Sequence, residues 1–212
     1  MPEVFLQTDE DYTSFSERKV CLFLSPSVKM RDPCLTSFFF FLQSLTLAMG
    51  STGVVCLGVN GHMYISWVGD SEACLVKKSQ DVLKFVECHK PKFESERLRI
   101  EEKGGFVTEL NGVYRVNGAL AVSRAFGDIR LKAAVTAEPD TSTYKLQGEE
   151  NYMVVACDGL WDVVSPFDIE EFVDNYVNSE GSIEGVTGAL KAMARQRHST
   201  DNITILYVQF QN

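Results

Sequence analysis

Short apolar runs separated by turn residues fill the chain from residue 53 onward. Runs 54–59 and 63–68 flank Asn60-Gly61, which favours a tight hairpin because both central residues of a type I′ turn need a positive φ. Asn111-Gly112 has the same position between runs 106–110 and 113–116. Further strands are predicted over 73–77, 84–87, 152–157 and 203–210.

Helical spacing of apolar residues predicts the remaining elements. A helix over 94–103 ends at Gly104-Gly105, where glycine adopts a left-handed C-cap without strain. Two more are predicted over 166–178 and 183–197, and Pro166 suits the first turn of the former. Antiparallel strands followed by packed helices indicate an α+β fold, and because no repeat or low-complexity linker divides the chain, we expect one domain.

The composition favours an intracellular protein that binds cations. A net charge of −9 argues against a nucleic-acid binder, which needs a cationic surface. The six cysteines lack CxxC or CxxH spacing and are interpreted as buried free thiols in a reducing compartment. No secretory or transit signal is recognisable, so cytoplasm or nucleus is expected. The apolar run 35–49 is shorter than the roughly 20 residues that span a bilayer, so no membrane association is expected.

Several aspartates follow predicted strands and are candidate metal ligands. Asp158 follows run 152–157, Asp70 follows run 63–68, and Asp201 precedes run 203–210. Asp128 lies in a Gly-Asp pair. Each alone is more often an ordinary turn residue. Together they are the oxygen ligands that Mg²⁺ and Mn²⁺ prefer, although spacing alone does not establish that they converge.

Motifs around these aspartates resemble one family over residues 50–210. In chain order they are Gly-Ser-Thr-Gly (50–53), Val-Gly-Asp-Ser (68–71), His-Lys-Pro (89–91), Glu-Arg-Leu-Arg-Ile (96–100), the segment 115–128, Ala-Cys-Asp-Gly-Leu-Trp-Asp-Val (156–163) and Ser-Thr-Asp-Asn-Ile-Thr (199–204). This order resembles the signatures of the PPM (type 2C) metal-dependent protein serine/threonine phosphatases. Trp-Val-Gly-Asp-Ser (67–71) and Gly-Gly-Phe-Val (104–107) look most like its partner-of-PIX, or calmodulin-kinase phosphatase, branch.

The resemblance implies a fold, a metal centre and a substrate class. The fold would be two antiparallel sheets packed face to face with helices outside, and a binuclear Mg²⁺ or Mn²⁺ site would activate a water that attacks the phosphorus. By motif position, Asp158 and Asp201 would hold one central metal, and Asp70 with Asp158 a weaker third ion. Asp128 is assigned a structural role, and the substrates would be phosphorylated proteins, including kinases.

Single residues outside the acidic set are predicted to be structural. His89 is expected to have a structural role ahead of the helix that follows it, with a chemical role as the alternative, and no catalytic or other cofactor-binding residue is assigned. Trp67 and Trp161 are predicted to anchor the core. His62 and His198 are expected to be solvated side chains near a turn and a helix end.

The N-terminal part departs from the family pattern. The family opens with an acidic pair, a phosphate-binding arginine and Asp-Gly-His-Gly-Gly, whereas the only Asp-Gly here is Asp158-Gly159. The sequence is therefore interpreted as an N-terminally truncated domain, with 50–212 its C-terminal part and 1–49 a remnant of the rest. In this remnant a helix is predicted over 5–19, and 44–49 resembles its continuation.

Segment 20–43 fits neither the helix nor the family and is interpreted as a non-homologous insert. Valine codons begin with GT, the run of phenylalanines at 38–41 is pyrimidine-rich in codons, and Leu42-Gln43 can end in CAG. The hypothesis is a retained, in-frame intron, and the alternative is a genuine apolar insert.

Three functional interpretations stay open. The first is a phosphatase whose hydrolysis in this form is in question, because the carboxylate that would bridge two metals is missing. The second is a non-catalytic pseudophosphatase or binding module, and the third is a chain that does not fold alone. The presence of Asp158, Asp201 and Asp70 favours truncation over decay.

Overall fold

Strands and short helices alternate along residues 21–24, 49–180 and 182–210, which the structure, a computed structural model, describes. The strands are β1 (Cys21–Leu24), β2 (Gly50–Ser51), β3 (Gly53–Val59), β4 (His62–Val68), β5 (Glu72–Lys77), β6 (Val82–Lys84), β7 (Val107–Leu110), β8 (Val113–Val116), β9 (Phe126–Gly127), β10 (Asp140–Lys145), β11 (Glu150–Ala156) and β12 (Ile205–Gln209). The helices are α1 (Glu94–Glu102), α2 (Asp158–Trp161), α3 (Pro166–Glu180) and α4 (Val186–Gln196), and Ile129–Leu131 forms a 3₁₀ turn.

The described strands form two larger and two smaller sheets. One larger sheet has the order β1-β3-β4-β10 and the other β12-β11-β5-β6, while β2 pairs with β9 and β7 with β8. β11 is antiparallel to both β12 and β5, which confirms the predicted α+β class with antiparallel sheets. β1 is an exception, because it pairs with β3 in parallel, with Cys21 opposite Gly53. It belongs to the segment interpreted as an insert, for which no strand was predicted.

Two compact units divide the described chain. The first contains residues 21–24, 49–59, 64–70 and 88–141, and the second contains 60–63, 71–87, 142–180 and 182–210. In the first unit, Ile100 of α1 packs with Val116 of β8 and Val135, all fully buried. This cluster holds α1 against the β7–β8 hairpin and the chain that follows it.

The second unit is built on the paired strands β5 and β11. Alternate residues of the two strands point to one core cluster, as the period of two in a strand requires, and they are Cys74, Val76, Tyr152, Val154 and Ala156. Apolar residues of α3 and α4 complete this cluster, which includes Ile169, Val173 and Leu190. The buried strand β11 thus ends at Ala156, two residues before the candidate ligand Asp158.

The predicted turns are confirmed. Asn60 and Gly61 have φ of 48° and 73°, and Asn111 and Gly112 have φ of 52° and 80°, as type I′ geometry requires. Gly104 has a φ of 79°, and its N–H donates to the Glu101 carbonyl at 2.9 Å directly after α1.

Two predicted elements differ most from the boundaries in the structure. The strand predicted at 84–87 instead lies at Val82–Lys84, because pairing of Val76 with Val82 and of Cys74 with Lys84 sets its register against β5. The helix predicted at 183–197 begins only at Val186, after Gly185 in the left-handed region at a φ of 84°. A Cβ at Gly185 would also lie 2.7 Å from the Tyr176 hydroxyl oxygen, so a side chain at this position would require the Tyr176 ring to shift.

Of the cysteines predicted to be buried free thiols, Cys56, Cys74 and Cys157 are buried in the structure, whereas Cys88 is half-buried. Cys56, Cys74, Cys88 and Cys157 are free thiols, and burial raises the pKa of Cys56 and Cys74 to about 12. Among the described helices, none combines the length and apolar character needed to cross a bilayer. Residues 35–48 of the apolar run and the helix predicted at 5–19 lie outside the described residues.

Candidate functional site

Asp158 and Asp201 lie on two chain segments of the second unit that are joined by hydrogen bonds. The Cys157 N–H donates to the Thr204 carbonyl at 3.2 Å, and the Cys157 thiol donates to the Asn202 carbonyl at 3.1 Å. The Thr204 N–H in turn donates to Cys157 Sγ at 3.2 Å. The end of β11 and the approach to β12 are therefore joined immediately beside both aspartates.

Gly159 allows these two segments to approach so closely. A Cβ at this position would lie only 2.1 Å from the Asn202 carbonyl oxygen, closer than any real side chain is found. The buried Ser199 hydroxyl donates to the Gly159 carbonyl at 2.6 Å and adds a further link. Asp158 is half-buried at the start of α2, whereas Asp201 is exposed and accepts from the Asn202 N–H at 2.7 Å.

Trp161 fastens α2, which carries Asp158, to the sheet of the second unit. Its indole N–H donates to the Ala156 carbonyl at 2.9 Å and to the Glu72 carbonyl at 3.2 Å, and its ring packs against the core cluster. The predicted anchoring role of Trp161 is confirmed. Trp67 of the first unit is also buried, with 5% of its surface exposed, as predicted.

Asp70 lies in the first unit, directly after β4, and its carboxylate is buried against a lysine. Lys90 Nζ is 3.1 Å from Asp70 Oδ2. The neighbouring Gly69 peptide is held by His89, since the Gly69 N–H donates to His89 Nδ1 at 3.0 Å and the His89 N–H donates to the Gly69 carbonyl at 2.9 Å. The position of the Asp70 carboxylate therefore depends on its contacts with residues of the His-Lys-Pro motif.

Behind His89 runs a chain of ion pairs that the sequence did not reveal. His89 Nε2 is 3.2 Å from Asp140 Oδ2, and Arg124 donates to Asp140 Oδ1 at 2.8 Å. Arg124 also donates to Glu96 Oε1 at 2.6 Å, and Arg99 donates to the other oxygen of Glu96 at 2.9 Å. Glu96 and Arg124 stand in the recognised motifs, but no local spacing indicates that residues 28 positions apart form a pair.

Burial and neighbouring charges determine the protonation states of Glu96 and His89 in this series of ion pairs. Burial alone would raise the Glu96 pKa, but hydrogen bonds led by that from Arg124 outweigh it and hold this pKa at about 2. Burial, assisted by the charge of Arg124, lowers the pKa of His89 and favours neutral imidazole. Glu96 and the arginines therefore form a charged cluster, with a neutral histidine at its end.

Asp128 has contacts that fit the structural role assigned to it. It is buried in the left-handed region at a φ of 50°, and its N–H donates to the Met49 carbonyl at 2.7 Å. A Cβ on Gly50 would overlap the Asp128 carboxylate, at 1.7 Å from Oδ2. The glycine that opens the Gly-Ser-Thr-Gly motif is therefore required by this close packing.

The donor atoms of the candidate ligands fit a hard cation, but the described residues show no complete set of ligands. Asp158 and Asp201 offer carboxylate oxygens, as Mg²⁺ and Mn²⁺ prefer, while the Cys157 thiol beside them is engaged with Asn202 and Thr204. Within the described residues, no three His, Cys, Asp or Glu side chains are grouped closely enough to hold a metal. The assignment of Asp70 and Asp158, which lie in different units, to one shared ion stays a prediction.

Comparison with known proteins gives consistent matches. The profile of the family Protein phosphatase 2C matches residues 10–203. Rat Protein phosphatase 1F is 40% identical over 191 residues, covering 88% of this chain and 42% of that protein, and mouse Protein phosphatase 1E is 40% identical over 164 residues, covering 77% and 22%. The chain thus spans less than half the length of these relatives, which match the expected partner-of-PIX branch.

Solved structures match the same fold. A phosphatase from a pathogenic strain of Toxoplasma gondii superposes with a TM-score of 0.64 at 30% identity, covering 71% of this chain and 49% of that one. A sex-determining protein of C. elegans superposes with a TM-score of 0.65 at 26% identity, covering 70% and 37%.

Proposed function

The chain belongs to the protein phosphatase 2C family, and from this premise we propose that it is part of a metal-dependent protein serine/threonine phosphatase. The substrates would be phosphoserine and phosphothreonine side chains of proteins, among them protein kinases. The observation that carries the proposal is the hydrogen-bonded junction of residues 157–159 with residues 199–204, which contain Asp158 and Asp201 respectively.

In the proposed site, Asp158 and Asp201 would hold one Mg²⁺ or Mn²⁺ ion, and Asp70 with Asp158 a weaker additional ion. The chemistry that such ions supply when bound is acidification of a coordinated water and neutralisation of charge on the phosphoryl group. The protein's own contribution is rigidity. Gly159 permits the close approach, the Cys157 and Ser199 hydrogen bonds secure it, and Trp161 fixes the helix that carries Asp158.

The proposed domain organisation follows the family pattern. Residues 50–212 would be the C-terminal part of a phosphatase domain and residues 1–49 the remnant of its N-terminal part, with an insert at 20–43. The free thiols Cys56, Cys74, Cys88 and Cys157 support a reducing compartment, the cytoplasm or the nucleus.

A second candidate is a non-catalytic binding protein, and one observation favours it. The sequence contains no Asp-Gly-His-Gly-Gly motif, which in the family supplies the carboxylate shared by two metals. Such a protein would keep the sheets and their surface while binding phosphorylated partners without hydrolysis.

An assay of Mn²⁺-dependent hydrolysis distinguishes the two candidates. A phosphothreonine peptide would be incubated with this chain and with a version extended by the upstream coding sequence, with and without a chelator. We expect chelator-sensitive release of phosphate by the extended version and loss of that activity in its Asp158→Asn variant. If both versions are inert while they bind the peptide, the phosphatase proposal fails and the binding function is favoured.

A further inference from the structure

We propose that His89 is a positioning residue that holds the Gly69-Asp70 turn in place and thereby sets the orientation of the Asp70 carboxylate toward a cation. This inference rests on the proposed role of Asp70 as a metal ligand. The sequence indicated only a structural role of His89 ahead of the helix that follows, whereas in the structure its Nδ1 contacts the turn after β4.

His89 binds both polar groups of the Gly69 residue. Its Nδ1 accepts the Gly69 N–H at 3.0 Å, and its own N–H donates to the Gly69 carbonyl at 2.9 Å. Gly69 has a φ of 98°, and a Cβ there would lie 2.2 Å from Cγ2 of Thr52. The turn therefore has a conformation that only glycine adopts easily, and the histidine bonds hold it there.

The residues on both sides of His89 contact the next residue of the turn. The Cys88 thiol is 3.9 Å from the Asp70 carbonyl oxygen as a weak donor, and Lys90 Nζ is 3.1 Å from Asp70 Oδ2. Trp67, near the end of β4, stacks on the His89 ring with centroids 6.2 Å apart and planes 16° apart. Three consecutive residues thus contact Gly69-Asp70, with the imidazole at their centre.

The hydrogen bonds specify one tautomer of His89. Because Nδ1 accepts from Gly69, the ring proton must lie on Nε2, which can then donate to Asp140 Oδ2 at 3.2 Å. Arg124 donates a hydrogen bond to the other carboxylate oxygen of Asp140 and also donates to Glu96. The ion-pair chain therefore keeps the imidazole oriented with Nδ1 toward the turn.

Two amide substitutions separate the functions of the two ring nitrogens. Asparagine places an acceptor oxygen close to the position of Nδ1 and does not reach Asp140, whereas glutamine reaches toward Asp140 and leaves the Gly69 N–H without its acceptor. A role confined to packing would respond to both changes alike. A positioning role through Nδ1 requires that His89→Gln be the more damaging one for cation binding.

The test measures Mn²⁺ binding by electron paramagnetic resonance and amide exchange by NMR in the full 212-residue chain. We expect Asp70→Asn to weaken one class of bound Mn²⁺, and His89→Gln to weaken the same class by about threefold to tenfold, the effect of one lost hydrogen bond. His89→Asn should stay within about twofold of wild type. Only His89→Gln should accelerate exchange of the Gly69 amide, and His62→Gln is the matched control for the substitution itself.

Each result supports or overturns the inference. If Asp70→Asn weakens Mn²⁺ binding but His89→Gln does not, His89 has no positioning role although the metal role of Asp70 stands. If Asp70→Asn changes nothing, the role of Asp70 fails and the inference fails with it. Should both His89 variants unfold, ¹⁵N shifts of the wild-type imidazole decide, because a protonated Nδ1 at neutral pH contradicts the proposed hydrogen bond.

Discussion

The substitution Gly159→Ala adds one methyl group at the junction between the two segments that carry Asp158 and Asp201. The glycine lies within α2 and needs no positive φ, so alanine is compatible with its backbone conformation. In a helix, alanine is favoured over glycine by up to about 1 kcal/mol. Backbone preference alone therefore predicts that Gly159→Ala stabilises the protein.

The surroundings of Gly159 predict the opposite sign. The new Cβ would lie 2.1 Å from the Asn202 carbonyl oxygen and 3.0 Å from the Asn202 carbonyl carbon, and both are backbone atoms that cannot rotate away. Relief requires the two segments to separate, which strains the Cys157 and Ser199 hydrogen bonds that join them. Overpacking of this kind costs about 1–3 kcal/mol, so we expect a net loss of about that size.

Urea denaturation of Gly159→Ala and of Gly188→Ala, with a Mn²⁺ titration of each, is the assay. Gly188 is exposed within α4 and has nothing within 4 Å of its Cβ position, so its substitution should raise the free energy of unfolding by up to about 1 kcal/mol. Gly159→Ala should lower it and also weaken Mn²⁺ binding. If Gly159→Ala is as stable as Gly188→Ala and binds Mn²⁺ normally, the reasoning about this junction is refuted.

Three further predictions concern Glu96, Trp161 and the proposed metal ligands Asp158 and Asp201. The Glu96 pKa is held at about 2, below its ordinary value of 4.5, so its contribution to stability is complete above pH 4.5 and is lost as the pH falls toward 2. The free energy of unfolding should fall by about 3 kcal/mol over this pH range in the wild type, and the Glu96→Gln variant should not show this fall. If the acid dependence of stability is the same in both proteins, the pairing of Glu96 with Arg124 is contradicted. Trp161→Phe removes the donor to Ala156 and Glu72 and should lower the free energy of unfolding in urea by about 1–2 kcal/mol, whereas wild-type stability would mean that these bonds contribute nothing net. Asp158→Asn and Asp201→Asn should each weaken Mn²⁺ binding at least about tenfold in calorimetry, since each removes the charge of a proposed ligand, while Asp128→Asn should bind as wild type. Equal effects of all three would reject the assigned ligands.

The sequence by itself determined those features that depend on local chemistry. Asn60-Gly61 and Asn111-Gly112 form the predicted turns because positive φ is a property of the residues themselves. The helix at 94–102 ends before Gly104 for the same reason. The motifs around Asp158 and Asp201 also sufficed to identify the family, because each is a short contiguous string.

Tertiary structure decided what depends on residues that are distant in the chain. The β6 strand lies at Val82–Lys84 because of its register against β5 and not because of its own composition. The pairing of Glu96 with Arg124, and the contact of His89 with Gly69, join positions 28 and 20 residues apart, and no local period encodes them. The requirement for glycine at 159 likewise comes from a carbonyl oxygen of Asn202, which reaches this position only because β12 pairs with β11.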